Sequence, residues 1–135
     1  MFPANTKILV VDDMKTMRMV MKKILVELGF SNIVEADDGS TAWIAIEEAN
    51  NSGQPFGVIL SDWNMPKMQG IELLQKVRSH PKMSNTPFLL VTAESEKDQV
   101  VSAVKAGVSN YIIKPFTKDT VREKLLAVYN KITST

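Results

Sequence analysis

Three carboxylates, a lysine and a threonine stand at the ends of short apolar runs, and their types suit phosphoryl chemistry. Asp12 and Asp13 follow the run 8–11, Asp62 follows 58–61, Thr92 follows 88–91 and Lys114 follows 110–113. Carboxylates gathered in one place repel and raise one another's pKa unless a cation intervenes. A hard divalent cation answers that need, and Mg²⁺ fits because it binds through one or two carboxylates plus phosphate oxygens and keeps several waters. An aspartate such as Asp62 can act as a nucleophile and form an aspartyl-phosphate, the metal neutralising the phosphoryl charge. Lys114 offers a compact positive charge for a phosphoryl oxygen, and the Thr92 hydroxyl offers a donor. Taken singly, each has a plainer reading: Asp12 or Asp13 as a helix cap, Asp62 as a turn residue, Lys114 as a solvated lysine, Thr92 as a routine strand residue. Only the combination favours a site. Tyr111 has an apolar body and a polar tip and could face in or out.

The elements that must position these groups alternate. The β-branched run Ile8-Leu9-Val10-Val11 reads as a buried strand. Met17, Val20, Met21, Ile24, Leu25 and Leu28 recur at helical spacing, and Gly29 ends the pattern. A short strand at 33–36 precedes a helix that Asp38 could cap, with Ala42, Trp43, Ile46 and Ala49 on its inner face. Residues 50–55 read as loop. After the third strand, residues 64–70 read as loop, and Ile71, Leu74 and Val77 begin a helix stopped at His80-Pro81. The spacing predicts a helix capped by Ser95, carrying Val100, Val101 and Val104 and closed by Gly107, and a last helix carrying Val121, Leu125, Val128 and Ile132. Five strand–helix pairs in alternation argue for an α/β domain with a parallel sheet covered on both faces. In open sheets of this kind the site lies outside the carboxyl ends of the strands. Asp12, Asp13, Asp62, Thr92 and Lys114 all stand there. The Lys114-Pro115 bond could be cis, which would aim the lysine inward.

Composition narrows the classes. The 135 residues suit one domain. Lys+Arg total 16 against 15 Asp+Glu, which points away from a nucleic-acid or membrane surface. There is no cysteine, so disulfides and thiolate metal sites are excluded. The N-terminal residues hold no long apolar segment of signal-peptide type, and the chain reads as a cytoplasmic protein. His80, the single histidine, reads as a surface residue beside Pro81, and the eight methionines as gap fillers.

Together the motifs Val10-Val11-Asp12-Asp13, Ser61-Asp62-Trp63-Asn64-Met65-Pro66, Val91-Thr92-Ala93-Glu94 and Ile113-Lys114-Pro115-Phe116 resemble those of the receiver domains of bacterial response regulators. Within that family, Trp63 and Thr16-Met17-Arg18 look like CheY-type single-domain chemotaxis regulators. The resemblance runs from about 7 to 132, so residues 1–135 are expected to form a single receiver domain with no output domain. It implies a flavodoxin-like (βα)5 doubly wound five-stranded parallel sheet, and the strand order 2-1-3-4-5 is taken from that resemblance. It implies Asp62 as phosphoacceptor; Asp13, Asp62 and the backbone carbonyl of Asn64 as direct Mg²⁺ ligands, with Asp12 acting through a water; Lys114 paired with the phosphoryl group; and Thr92 and Tyr111 as switch residues. The partners implied are a histidine kinase and the flagellar motor switch, with room for a dedicated phosphatase; no nucleic acid, no membrane, and a monomer. The output face implied is the helix 95–106, the strand at Tyr111 and the helix 117–132. A phosphate sink or relay intermediate stays open as an alternative within the class. Two departures stand out: the loop 50–56 looks longer than in chemotaxis relatives, and Gln69 precedes Gly70 where an acidic residue or asparagine is usual.

Readings from other classes fit less well. An aspartyl-phosphate phosphatase or mutase commonly carries a second acid two residues after its nucleophile, where this chain has Asn64. A flavodoxin-type cofactor site needs a Ser/Thr/Gly-rich loop after the first strand, where this chain has Asp12-Asp13-Met14-Lys15. The protein is therefore expected to be a phosphoacceptor that assists its own phosphorylation and dephosphorylation, and no metabolic enzyme.

Overall fold

The structure is a computed structural model that describes residues 1–93 and 97–134. Strands β1 (Ile8–Val11), β2 (Ile33–Ala36), β3 (Val58–Asp62), β4 (Phe88–Thr92) and β5 (Asn110–Ile113) alternate with helices α1 (Lys15–Glu27), α2 (Gly39–Asn51), α3 (Gly70–Ser79), α4 (Lys97–Lys105) and α5 (Lys118–Thr133). The strands pair in parallel in the order β2-β1-β3-β4-β5, the doubly wound flavodoxin-like order expected. β1, β3 and β4 are buried at every residue, which is why they read as unbroken apolar runs.

Alternate side chains point to opposite faces of the sheet. Val58 and Leu60 join α1 (Met21, Leu25) and α5 (Val121, Leu125, Val128) on one face. Ile59 joins α2 (Ala42, Ile46, Ala49), α3 (Leu73, Leu74, Val77) and Ala103 of α4 on the other. Gly29 ends α1 at φ +102°, a left-handed conformation open to glycine. Its N–H donates to Val26 O and the Phe30 N–H to Leu25 O, both at 3.0 Å, so two terminal carbonyls are satisfied in a Schellman closure. Asp38 caps α2 as expected: its Oδ1 accepts the Thr41 N–H at 2.8 Å, and Thr41 Oγ1 accepts the Asp38 N–H, a reciprocal cap.

One expectation needs correction. Asn50 and Asn51 are helical, because α2 continues until Ser52 caps it. Val101 and Val104 face solvent, at 44% and 65% exposure, and among the described residues of α4 the one buried is Ala103; a small side chain lets the helix backbone approach closely. Ile132 is also exposed, in the last turn of α5. The Ser95 cap lies outside the described residues.

The backbone packs closely where α3 begins. The Gly70 N–H donates to Trp63 O at 2.9 Å, closing the β3–α3 loop on itself. A Cβ at Gly70 would run into the backbone carbonyl of Asp62 and approach Leu90 Cδ2 to 2.9 Å. Overpacking against backbone costs about 1–3 kcal/mol. Gly70→Ala is therefore expected to lower the unfolding free energy by about 2 kcal/mol in a urea titration; an unchanged midpoint would contradict the packing described.

Candidate functional site

The parallel register builds the site as a staircase. Val11 of β1 is level with Ser61 of β3, so Asp12 and Asp62 are the next residues on adjacent strands. Asp62 is level with Val91, so Thr92 stands one step on. Thr92 is level with Ile113, and Lys114 follows it. The Lys114 N–H donates to Thr92 O at 2.7 Å, and the Lys114–Pro115 bond is cis.

At this edge the structure brings together Asp12, Asp13, Asp62 and Lys114. Lys114 Nζ lies 3.3 Å from Asp12 Oδ2 and 3.3 Å from Asp62 Oδ1. One carboxylate oxygen from each of Asp12, Asp13 and Asp62 lies within 4.8 Å of the others. Asp12 and Asp62 are buried, while Asp13 is exposed at the rim. Oxygens sharing a cation at about 2.1 Å stand about 3–4 Å apart, so this all-oxygen, solvent-open donor set fits a hard divalent cation. Burial raises the Asp62 pKa above the ordinary aspartate value; the Asp12 carboxylate raises it further, and Lys114 opposes both.

The remaining residues singled out lie nearby. Asn64 is exposed in the β3–α3 loop, two residues past Asp62. Thr92 is buried at the end of β4, and its hydroxyl donates to Gln99 Oε1 at 3.3 Å. Thr92, Trp63, Leu90, Gln99, Ala103 and Tyr111 line a small pocket, so the two proposed switch residues face a common space. Tyr111 is half-buried, neither fully in nor out, with Lys124 Nζ 4.9 Å from its ring centroid. Trp63 is buried beside Asp62. Trp43 and His80 are remote from the site, in edge-to-face contact at 5.9 Å. Of the methionines, Met21, Met65 and Met83 fill the core, but Met14 and Met19 face solvent.

Three features at the site's margins escaped the sequence reading. Arg18 Nη1 donates to the backbone carbonyl of Asp12 at 2.7 Å, while its Nε pairs with Glu35 Oε1 at 3.3 Å. Lys67 adopts φ +67°, a conformation that costs a non-glycine residue about 1 kcal/mol or more, and its Nζ stands 3.8 Å from Asp38 Oδ2. At Gly39 an added Cβ would lie 2.6 Å from Met68 Cβ, so this loop sits directly on the start of α2. Only Arg18 left a trace in the sequence, as part of Thr16-Met17-Arg18.

A doubly wound sheet carrying an acidic trio and a lysine at its carboxyl edge defines a receiver-type α/β domain. Comparison with known proteins agrees. Residues 8–126 match the family described as the response regulator receiver domain. Chemotaxis protein CheY-3 of Vibrio cholerae is 44% identical over 128 residues, 95% of each chain. Chemotaxis protein CheY of Pseudomonas aeruginosa is 44% identical over 126 residues, 93% of this chain and 98% of that one. Among solved structures, V. cholerae chemotaxis protein CheY4 superposes with a TM-score of 0.83 at 31% identity, covering 93% of this chain and 99% of the other. The chain belongs to the response-regulator receiver family, as a CheY-like domain of phosphorylation-dependent signalling.

The raised Asp62 pKa sets a stability prediction with a definite sign. The folded protein holds this proton more tightly than the unfolded chain, so ionising Asp62 costs stability. That cost is absent below the unfolded value of about 3.9 and grows as pH rises through it toward the raised folded value. Asp62→Asn removes it. In EDTA at pH 7 the variant is expected to melt above wild type, with the gap closing below about pH 4. A lower melting temperature at pH 7 would contradict the electrostatics described.

Proposed function

We propose that this protein is a chemotaxis signalling switch that accepts a phosphoryl group on Asp62, with Mg²⁺ bound, and then binds a target, the flagellar motor switch. The observation that carries the reading is the Asp62 carboxylate, buried at the sheet edge with Lys114 3.3 Å away and Asp12 and Asp13 alongside. In this reading Asp13, Asp62 and the Asn64 carbonyl would hold the cation, with Asp12 acting through a water. The ion would supply positive charge that neutralises the carboxylate and phosphoryl oxygens.

The chain's own groups do the rest. A carboxylate oxygen of Asp62 attacks the phosphorus of a phosphohistidine; the N–P bond breaks and the imidazole leaves with its electron pair. Lys114 turns from Asp62 to a phosphoryl oxygen. Thr92 moves its hydroxyl bond from Gln99 to the phosphoryl group, and Tyr111 turns into the pocket the two share. The result is a shift between two conformers with a local charge change as its cause. The chain assists its own phosphorylation and dephosphorylation and turns over no metabolite. A histidine kinase supplies the phosphoryl group in the cytoplasm, and a dedicated phosphatase is a further partner. The relatives that support the chemotaxis role are themselves named chemotaxis proteins.

The target face is α4–β5–α5. Val101, Val104, Ile113 and Leu126 are exposed on these elements, apolar side chains that a partner would cover. The test is phosphotransfer from a phosphorylated chemotaxis histidine kinase, followed by titration with a motor-switch segment. Phosphorylation is expected to tighten binding at least tenfold. Val104→Glu is expected to weaken binding about tenfold, as loss of an interface anchor does, while accepting phosphate normally. Equal binding by phosphorylated and unphosphorylated protein would count against the motor role and favour a phosphate sink.

A further inference from the structure

We infer that Arg18, tethered by Glu35, is a positioning residue for cation binding at the acidic pocket, an inference that rests on the pocket being a Mg²⁺ site. Asp12 is fixed through each of its polar groups. Its N–H donates to Ala36 O at 3.2 Å, its Oδ1 accepts the Met14 N–H at 2.9 Å and its Oδ2 meets Lys114. Its carbonyl accepts Arg18 Nη1 at 2.7 Å, the shortest of these bonds. That carbonyl belongs to the peptide unit leading into Asp13, the rim carboxylate. The bond at the Asp12 carbonyl therefore sets the direction in which Asp13 leaves the strand.

Arg18 is itself held. Its side chain is 16% exposed, and its Nε lies 3.3 Å from Glu35 Oε1. Glu35 sits on β2 level with Val10, so one guanidinium ties α1, the end of β1 and the neighbouring strand together. The task needs a rigid fork that serves two acceptors at once; a lysine is a single point charge on a flexible stem. Lys22 also approaches Glu35, at 3.7 Å; its part is to neutralise Glu35, with no bond to the acidic loop.

Charge and positioning predict opposite signs. Arg18 is a cation near a cation site, so by Coulomb repulsion alone its removal would tighten Mg²⁺ binding. If Arg18 acts by aiming Asp13, its removal loosens binding, and groups that orient metal ligands typically contribute 10–100-fold in affinity.

The test is the Mg²⁺ dissociation constant by calorimetry for wild type, Arg18→Ala, Arg18→Lys, Glu35→Gln and Lys22→Ala, each checked for folding by thermal melting. Arg18→Ala and Arg18→Lys are expected to weaken Mg²⁺ binding about tenfold. Glu35→Gln is expected to weaken it less, and to add nothing in the Arg18→Ala background. Lys22→Ala, which removes a positive charge from the same helix, is expected to weaken it not at all. Equal or tighter binding by Arg18→Ala, or full affinity in Arg18→Lys, would overturn the inference and leave the pocket standing. Failure of the wild type to bind Mg²⁺ would overturn both.

Discussion

Like-charge repulsion at one end of the sheet is the constraint on which the rest of the molecule turns. Asp12 and Asp62 are buried within reach of one ammonium group, with Asp13 at the rim. Three carboxylates facing one lysine leave two negative charges unbalanced, the charge that a divalent cation brings. These carboxylates are thus held in an electrostatically costly arrangement by the folding of everything around them, as expected of functional sites. The cost is tolerable because the carboxylates stand at the ends of β1 and β3, whose residues are buried throughout.

The surroundings supply the holding. The register places Asp12 and Asp62 level at the ends of β1 and β3, with Thr92 of β4 one step on and Lys114 after β5 one step further. Gly70 lets α3 start directly under the Asp62 carbonyl, and Gly39 lets the loop after β3 rest on α2. Arg18 and Lys67 each carry a cation to this end of the sheet, and each pairs with an acid outside the trio, Glu35 and Asp38. A group arriving at the pocket therefore meets ligands already aimed, which lowers the ordering cost of binding.

Much of this was legible in the sequence because it depends on period and position. Buried parallel strands announce themselves as continuous apolar runs, and the rule that sites gather at strand carboxyl ends singles out Asp12, Asp13, Asp62, Thr92 and Lys114 before any geometry is seen. The Asp38 cap and the Gly29 closure follow from local backbone chemistry. The strand order came from family resemblance, since alternation alone does not fix it. What stayed hidden depends on contacts across elements. Arg18 reaches Asp12 and Glu35 through its rotamer, which spacing does not encode. Lysine is no marker of positive φ, so Lys67 gave no signal. In α4 the valines drew attention, but Ala103 is the residue that meets the sheet, because close approach selects for small size. The same reversal leaves Val101 and Val104 outside, where a partner can use them.

The central claim is that Asp62 is the phosphoacceptor and that the acidic pocket works with a divalent cation. The most direct measurement is intact mass and peptide mapping after incubation with acetyl phosphate, with Mg²⁺ or with EDTA. The account predicts one phosphoryl adduct, formed only with Mg²⁺ and mapped to Asp62. An adduct at another residue, or one formed equally well in EDTA, would contradict it.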